Sequence, residues 1–357
     1  MGYRKDEKLI RGKNIVKIKS LLFNVRVPLI WLLVVLVTSV GLVLSSFVNN
    51  KNAKPSTQSS APPVVDCDAN MDLLRQKKSA FVKPLLLSDL LVQDRKMSNL
   101  KSELSAYLNQ KQKANIITGA SVYIRKLNSG SWIAINENEM YNPASLMKVA
   151  YLITFLKESE SNPGLLSKKV YFNEHFTKGN NQNIVDFKLQ EKRFYTIREL
   201  LEAMIVYSDN DATGLLTQNL NQQRFHKLFE DLGLQKPSTT GEYFINASEY
   251  ARFFRILYNA TYLNPENSEL AVQLLLNSTF REGICKNLDP SIPVAHKFGE
   301  RIINNVAQLH EFGIVYYRNE PYLIGVMGKA NSLTPLKEMV SDVSGMVYAY
   351  MSKFHSQ

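Results

Sequence analysis

Cysteine and histidine are scarce in this chain, and their scarcity removes several chemistries at once. Two cysteines in 357 residues are too few for a disulfide-built scaffold or a cysteine zinc site. The five histidines (His175, His226, His296, His310 and His355) show no paired spacing. No His-Glu-x-x-His occurs, which excludes a zinc protease of that class. No Walker-type phosphate loop and no G-x-G-x-x-G is present, so nucleotide chemistry has no motif to rest on. No cofactor and no metal is implied. Hydrophobic residues make up 45% and charged residues 21%; that balance suits a packed core and argues against disorder, collagen and coiled coil.

Positive charge is plentiful but unevenly spread. Residues 1–26 hold eight Lys or Arg against Asp6 and Glu7, a net +6 out of the chain's +11. An uncharged run follows at 27–48, VPLIWLLVVLVTSVGLVLSSFV. Crossing the hydrocarbon core takes ~20 apolar residues, and this run exceeds the ~7–15 residues of a cleavable signal core. The reading is a basic cytoplasmic tail (1–26) and a transmembrane signal anchor (27–48), with the N-terminus inside. A cleaved signal peptide is the alternative; both place the body outside the cytoplasm, and the anchor reading holds it at the cell membrane. The topology accounts for the densest basic stretch, so nucleic acid is not expected as a partner. Residues 49–66, rich in Asn, Lys, Ser and Pro, read as a flexible tether, and 67–357 as the functional domain.

Within that domain, 86–113 reads as helical, from Leu100, Leu104 and Leu108 at four-residue spacing. Residues 120–127 and 132–136 alternate around Asn128-Ser-Gly and predict a hairpin. Asn142-Pro143 opens a helix to about Lys157 that is apolar nearly all round, hence buried. A helical insert is expected over about 158–288, with a capping box at Thr196/Glu199, another helix start at Asn246, and a third at Asn264-Pro265. Strand patterns return at 292–298, 311–317 and 322–328, followed by a helix from about Pro335 to Met351.

Three short motifs carry candidate chemistry. Ser145-Leu-Met-Lys148 places a hydroxyl and an amine on one helix face. Lysine can deprotonate serine only if its pKa falls from ~10.4 towards neutrality, a cost of ~4 kcal/mol that burial or a second cation can impose. A second Ser-x-x-Lys, Ser98 to Lys101, lies on the polar 86–113 helix and reads as solvated surface. Ser208-Asp209-Asn210 offers a hydroxyl for proton relay and an amide for a substrate carbonyl; its bland reading is a helix-to-helix turn. Lys297-Phe298-Gly299-Glu300 offers a strand lysine, with Gly299 permitting close backbone approach; its bland reading is an edge-strand lysine.

In this order the three motifs resemble those of the penicillin-binding proteins and class A β-lactamases. The resemblance spans about residues 85–353 and rests on Asn142–Lys148, Tyr207–Ala212 and Val294–Gly299. It implies an α/β (α+β) fold, a five-stranded antiparallel sheet flanked by helices plus an all-helical subdomain, with the cleft between them. It also implies an acylated nucleophile at Ser145, its base at Lys148, proton relay by Ser208, a second cation at Lys297 and substrate-amide binding by Asn210. The oxyanion hole would be the N–H groups of Ser145 and Glu300, with Gly299 beside it. A β-lactam or a peptidoglycan stem peptide would be the substrate.

Two departures limit the inheritance. Phe298 stands where the family has a hydroxyl that helps bind a substrate carboxylate, and a lost hydrogen bond to a charged group costs ~1.5–3 kcal/mol. Arg301 is a candidate replacement. Class A β-lactamases also use a glutamate and an asparagine four residues on to activate the deacylating water; Glu242 and Asn246 match that spacing, but Asn246 also reads as a helix cap. Without such a base the acyl-enzyme persists, as in a D,D-peptidase-like penicillin-binding protein. A catalytically decayed cell-wall binding module is the reading from a different class. Pairing of Cys67 with Cys285 is left open.

Overall fold

The computed structural model describes residues 71–76, 84–90, 92–176, 187–238 and 241–353. The expected basic tail, membrane span and tether lie outside these residues. Among the described residues no helix is long and apolar enough to cross a membrane.

Strands β1 (Met71–Arg75) and β2 (Leu85–Leu90) pair antiparallel. The helix expected over 86–113 therefore begins only at Ser98, as α1 (Ser98–Lys113). The run Leu85-Leu-Leu-Ser-Asp-Leu90 is too short for periodicity to separate strand from helix, and its pairing with β1 decides the matter. Two arginines anchor β2: Arg125 and Arg255 both reach Asp89, at 3.0 and 2.8 Å, and both donate to the Ser88 carbonyl.

The expected hairpin forms as β3 (Gly119–Lys126) and β4 (Trp132–Ile135), in register from Val122 opposite Ile135 to Arg125 opposite Trp132. Helix α2 (Met147–Ser159) follows a 3-10 turn over Ala144–Leu146. The expected helical insert contains a short hairpin of β5 (Lys169–Phe172) and β6 (Arg193–Thr196), so it is not wholly helical. Then come α3 (Ile197–Val206), α4 (Asn210–Gln218), α5 (Gln222–Asp231), α6 (Ala247–Tyr258) and α7 (Pro265–Leu276). Capping boxes at Thr196/Glu199 and Asn246/Glu249 start α3 and α6 as expected.

Strands β7 (Val294–Ile303), β8 (Val306–Val315) and β9 (Tyr322–Ala330) and helix α8 (Leu333–Lys353) complete the fold. Strands β7 and β8 run longer than their patterns suggested. They are joined by Asn304 and Asn305, both left-handed (φ 50° and 62°), which suits the tight turn that follows strand twist. The third motif consequently sits in mid-strand.

The main sheet has the order β4-β3-β9-β8-β7, antiparallel throughout. Side chains alternate between its faces. One face, with Val122, Ile124 and Val326, packs on Leu100, Leu104 and Leu108 of α1 and Val340, Val343 and Val347 of α8. The opposite face, with Tyr123, Phe312 and Met327, packs on the helical half through α2 and α6. The five-stranded sheet with helices on both sides is the architecture the resemblance implied.

Candidate active site

Ser145 lies in the 3-10 turn that precedes α2, so the first motif starts as a turn and becomes α-helix at Met147. Asn142 Oδ1 accepts from the Ala144 N–H at 3.0 Å. Ala144 is left-handed (φ 48°), a conformation that costs a non-glycine residue about 1–3 kcal/mol and persists only when neighbours enforce it. Three neighbours do so. Tyr250 on α6 donates to the Leu146 carbonyl at 2.7 Å. His310 on β8 takes the Gly328 N–H at Nδ1 (3.3 Å), which assigns the proton to Nε2, 3.1 Å from the Asn142 carbonyl. Gly299 on β7 meets the turn backbone to backbone: a Cβ there would lie 2.7 Å from the Pro143 oxygen and 3.1 Å from the Ser145 nitrogen. The close approach that Gly299 allows is therefore to the serine's own turn.

Lys148, one turn further on, is 3% exposed. Its amine donates to the Ser208 carbonyl at 2.5 Å, to Ser208 Oγ at 3.1 Å and to Asn210 Oδ1 at 2.8 Å. Burial pushes this amine down to about 7, against the opposing pull of Asp209 and Glu300. Lys297, fully buried, donates to the same Ser208 Oγ at 2.9 Å and to the Phe298 carbonyl at 3.0 Å. Burial, then the charge of Lys148, hold Lys297 well below the usual lysine range. Both cations are thus disfavoured, the condition a lysine base requires.

The second motif serves two purposes. Asp209 does the bland one, capping α4 by accepting the Ala212 N–H at 2.6 Å. Ser208, left-handed at φ 57°, and Asn210 face the two lysines instead. Lys148, Ser208, Asn210 and Lys297 thus form one hydrogen-bonded constellation drawn from α2, the α3–α4 junction and β7, and Ser145 lies in the turn just before Lys148.

Phe298 is buried and turns its ring into the core, onto Phe280 (centroids 4.4 Å apart). The Lys297 amine lies 4.2 Å from the same ring, a cation–π contact in place of a hydroxyl. Arg301 shares a strand face with Lys297 and Gly299, and it pairs with Glu242. Asn246 Oδ1 accepts the Glu249 N–H at 2.9 Å as the cap of α6. The glutamate–asparagine pair suggested by the 242–246 spacing is therefore engaged elsewhere: Glu242 with Arg301, and the Asn246 carbonyl with a helix end. Glu300 lies on β7 opposite Leu309, next to the Gly299 that abuts Ser145.

The residues that sequence reasoning missed are Tyr250 and His310. They act on the serine's turn from α6 and β8, and no local pattern marks them. Among the described residues no group of His, Cys, Asp or Glu is arranged to hold a metal ion.

A family model described as the Beta-lactamase enzyme family matches residues 99–351. The chain belongs to the Beta-lactamase enzyme family. As a member it is a serine hydrolase acting on amide bonds. Among solved structures, a variant of PBP-A in an acyl-enzyme complex with penicillin G is 19% identical, with a TM-score of 0.60, over 72% of this chain and 97% of that one. The TLA-3 extended-spectrum β-lactamase is 15% identical, with a TM-score of 0.64, over 71% and 99%. A class A β-lactamase from Mycobacterium abscessus is 17% identical, with a TM-score of 0.60, over 71% and 99%. Identities this low establish a shared fold. No curated protein matches the sequence.

Proposed function

We propose that this protein acylates Ser145 with a β-lactam or a D-Ala-D-Ala-type cell-wall amide, and that the acyl-enzyme is long-lived. The observation that carries the proposal is the shared hydrogen bonding of two buried lysines to Ser208, the first of them, Lys148, lying one helical turn after Ser145. In the proposed reaction the neutral form of Lys148, about half of it at pH 7, takes the Ser145 proton as Oγ bonds to the substrate carbonyl carbon. The tetrahedral oxyanion forms against the N–H groups of Ser145 and Glu300, where aligned donors are worth several kcal/mol. The carbon–nitrogen bond then breaks, and Ser208 passes a proton to the leaving nitrogen, with Lys297 stabilising the transfer. Asn210 binds the substrate's side-chain amide.

Slow deacylation follows from the rim. A hydrolytic base must hold a water against the ester carbonyl. Glu242 is half exposed and paired with Arg301, and Asn246 caps α6, so this candidate pair does not present such a water. Arg301 is proposed to bind the substrate carboxylate after release from Glu242. We also propose that residues 27–48 anchor the enzyme in the cell membrane with the domain outside, on the strength of the sequence alone. Protease shaving of intact cells should release the domain, and a protected domain would contradict this topology.

Intact-mass spectrometry of the full chain with a penicillin and a cephalosporin tests the reaction. The expected result is a stoichiometric adduct lasting many minutes and absent from Ser145→Ala. Turnover without accumulation would indicate a true β-lactamase. No adduct at any concentration would indicate the binding module.

A further inference from the structure

A second nucleophile lies behind β7. Cys285 is half-buried and has no disulfide partner among the described residues, Cys67 lying outside them, and it sits in the segment that leads into the strand. Its Sγ lies 3.5 Å from His296 Nε2, and His296 Nδ1 lies 2.7 Å from Glu311 Oε1 on β8. His296 and Glu311 are fully buried. The second Glu311 oxygen accepts the Ile284 N–H at 2.9 Å. Gly283 leaves the room this carboxylate needs, since a Cβ there would come within 1.7 Å of it. On the outer side the Arg281 guanidinium donates to Cys285 Sγ at 3.5 Å.

We propose that Cys285, relayed through His296 to Glu311, is a thiol modification site open to small disulfides and separate from the Ser145 centre. The thiolate is the reactive form of cysteine, and adjacent cationic groups favour it. A histidine held at Nδ1 by a buried carboxylate and protonated at Nε2 is positioned to stabilise a thiolate there. Thiol and carboxylate bond opposite nitrogens of one ring, so the three groups form a relay, not a convergent ligand set. Burial alone would lower the His296 pKa, but Cys285 and Glu311 outweigh it and hold the imidazole at about 9. The charged groups at this site are Arg281 from the same segment and Glu311 from β8. Lys337 of α8 pairs with Glu282 of the same segment as Cys285. Lys297 leaves β7 on the opposite face, but Glu311 acts on its charge as well.

The step balances without an external oxidant beyond the disulfide. The Cys285 sulfur attacks one sulfur of the disulfide and the Sγ–S bond forms. The original S–S bond breaks, and the departing thiolate takes the proton that His296 held. Neither Ser145 nor its lysines take part.

The test uses the full chain with Cys67→Ser, leaving one thiol, and glutathione disulfide as probe. Mixed-disulfide formation is followed by intact mass from pH 5.5 to 8.5, with the same chain in guanidinium chloride as reference. An ordinary thiol loses about tenfold in thiolate per pH unit below ~8.5. The unfolded reference should follow that slope, whereas the native rate should change less than about threefold between pH 6 and 8. His296→Gln should restore the steep slope. Arg281→Gln, on the exposed rim, should slow the native reaction while leaving the slope flat. A native profile parallel to the unfolded one, or no native reaction, would overturn the proposal, and both readouts need only the Cys67→Ser protein.

Discussion

Lys148 and Lys297 share one acceptor. Ser208 Oγ lies 3.1 Å from the first amine and 2.9 Å from the second, although the two lysines come from α2 and β7. A hydroxyl between two buried amines can accept from one while donating to the other only if at least one amine is neutral. The depressed lysine pKa values and the shared serine are thus one feature, and they make proton transfer between helix and strand possible.

The first prediction is a pH profile. With Lys148 at about 7, Ser145 acylation should rise about tenfold per pH unit up to pH 7 and level off above it. Lys148→Arg keeps a cation that stays protonated at every accessible pH, so acylation should vanish throughout. Stopped-flow acylation by a chromogenic cephalosporin reads both; a rate already level at pH 5 would place the base elsewhere.

Gly299→Ala should harm both stability and acylation. The new Cβ meets the Pro143 oxygen at 2.7 Å and the Leu146 nitrogen at 2.9 Å, and backbone atoms cannot rotate aside. Overpacking of this kind costs about 1–3 kcal/mol, and a shift of ~1 Å at a nucleophile costs about 100-fold in rate. Urea unfolding and acylation kinetics measure the two effects.

Glu242→Gln should leave the adduct lifetime within about twofold of wild type, because the carboxylate is paired with Arg301, and an exposed pair of this kind contributes little. It should also lower the β-lactam concentration needed for half-maximal acylation, since Arg301 is then unpaired. A strongly prolonged lifetime would make Glu242 the deacylating base after all.

His310 should shape the acid limb of stability. Burial is the main cause that holds its pKa down at about 3, whereas an unfolded histidine titrates near ~6.5. Between these values the unfolded chain binds a proton that the folded one does not. This contribution is complete above pH ~6.5 and is lost as pH falls towards 3. Because His296 is raised, to about 9, its contribution has the opposite sign: complete below ~6.5 and lost as pH rises through 9. His310→Gln should therefore flatten the stability profile between pH 4 and 6.5. Urea midpoints across that range give the answer; unchanged slopes would mean that His310 is charged in the fold.

Legibility differed from element to element. The β3–β4 hairpin was readable because Asn128-Ser-Gly breaks two alternating runs. The starts of α3 and α6 were readable because a capping box is a local device, complete within four residues. Residues 85–90 were misread because six residues fit either period, and the partner strand β1 carries no strong pattern of its own. The β5–β6 hairpin was missed for the same reason, its two strands being four residues each. Phe298 was read as a lost hydroxyl, and its packing on Phe280 was not visible.

The primary structure alone supplied the chemical types: a serine and a lysine one turn apart, a capping triplet that frees its first and third side chains, and a strand lysine before a glycine. These are local properties, set by backbone propensity and helix geometry. The pairings came from chain closure. Ser208 is 60 residues from Lys148 and 89 from Lys297, and Glu242 is 59 from Arg301. Which amine meets which oxygen, and how far burial depresses each lysine, depends on packing between helices and sheet across those separations. A carboxylate that reads as a base in one dimension becomes a partner for arginine in three.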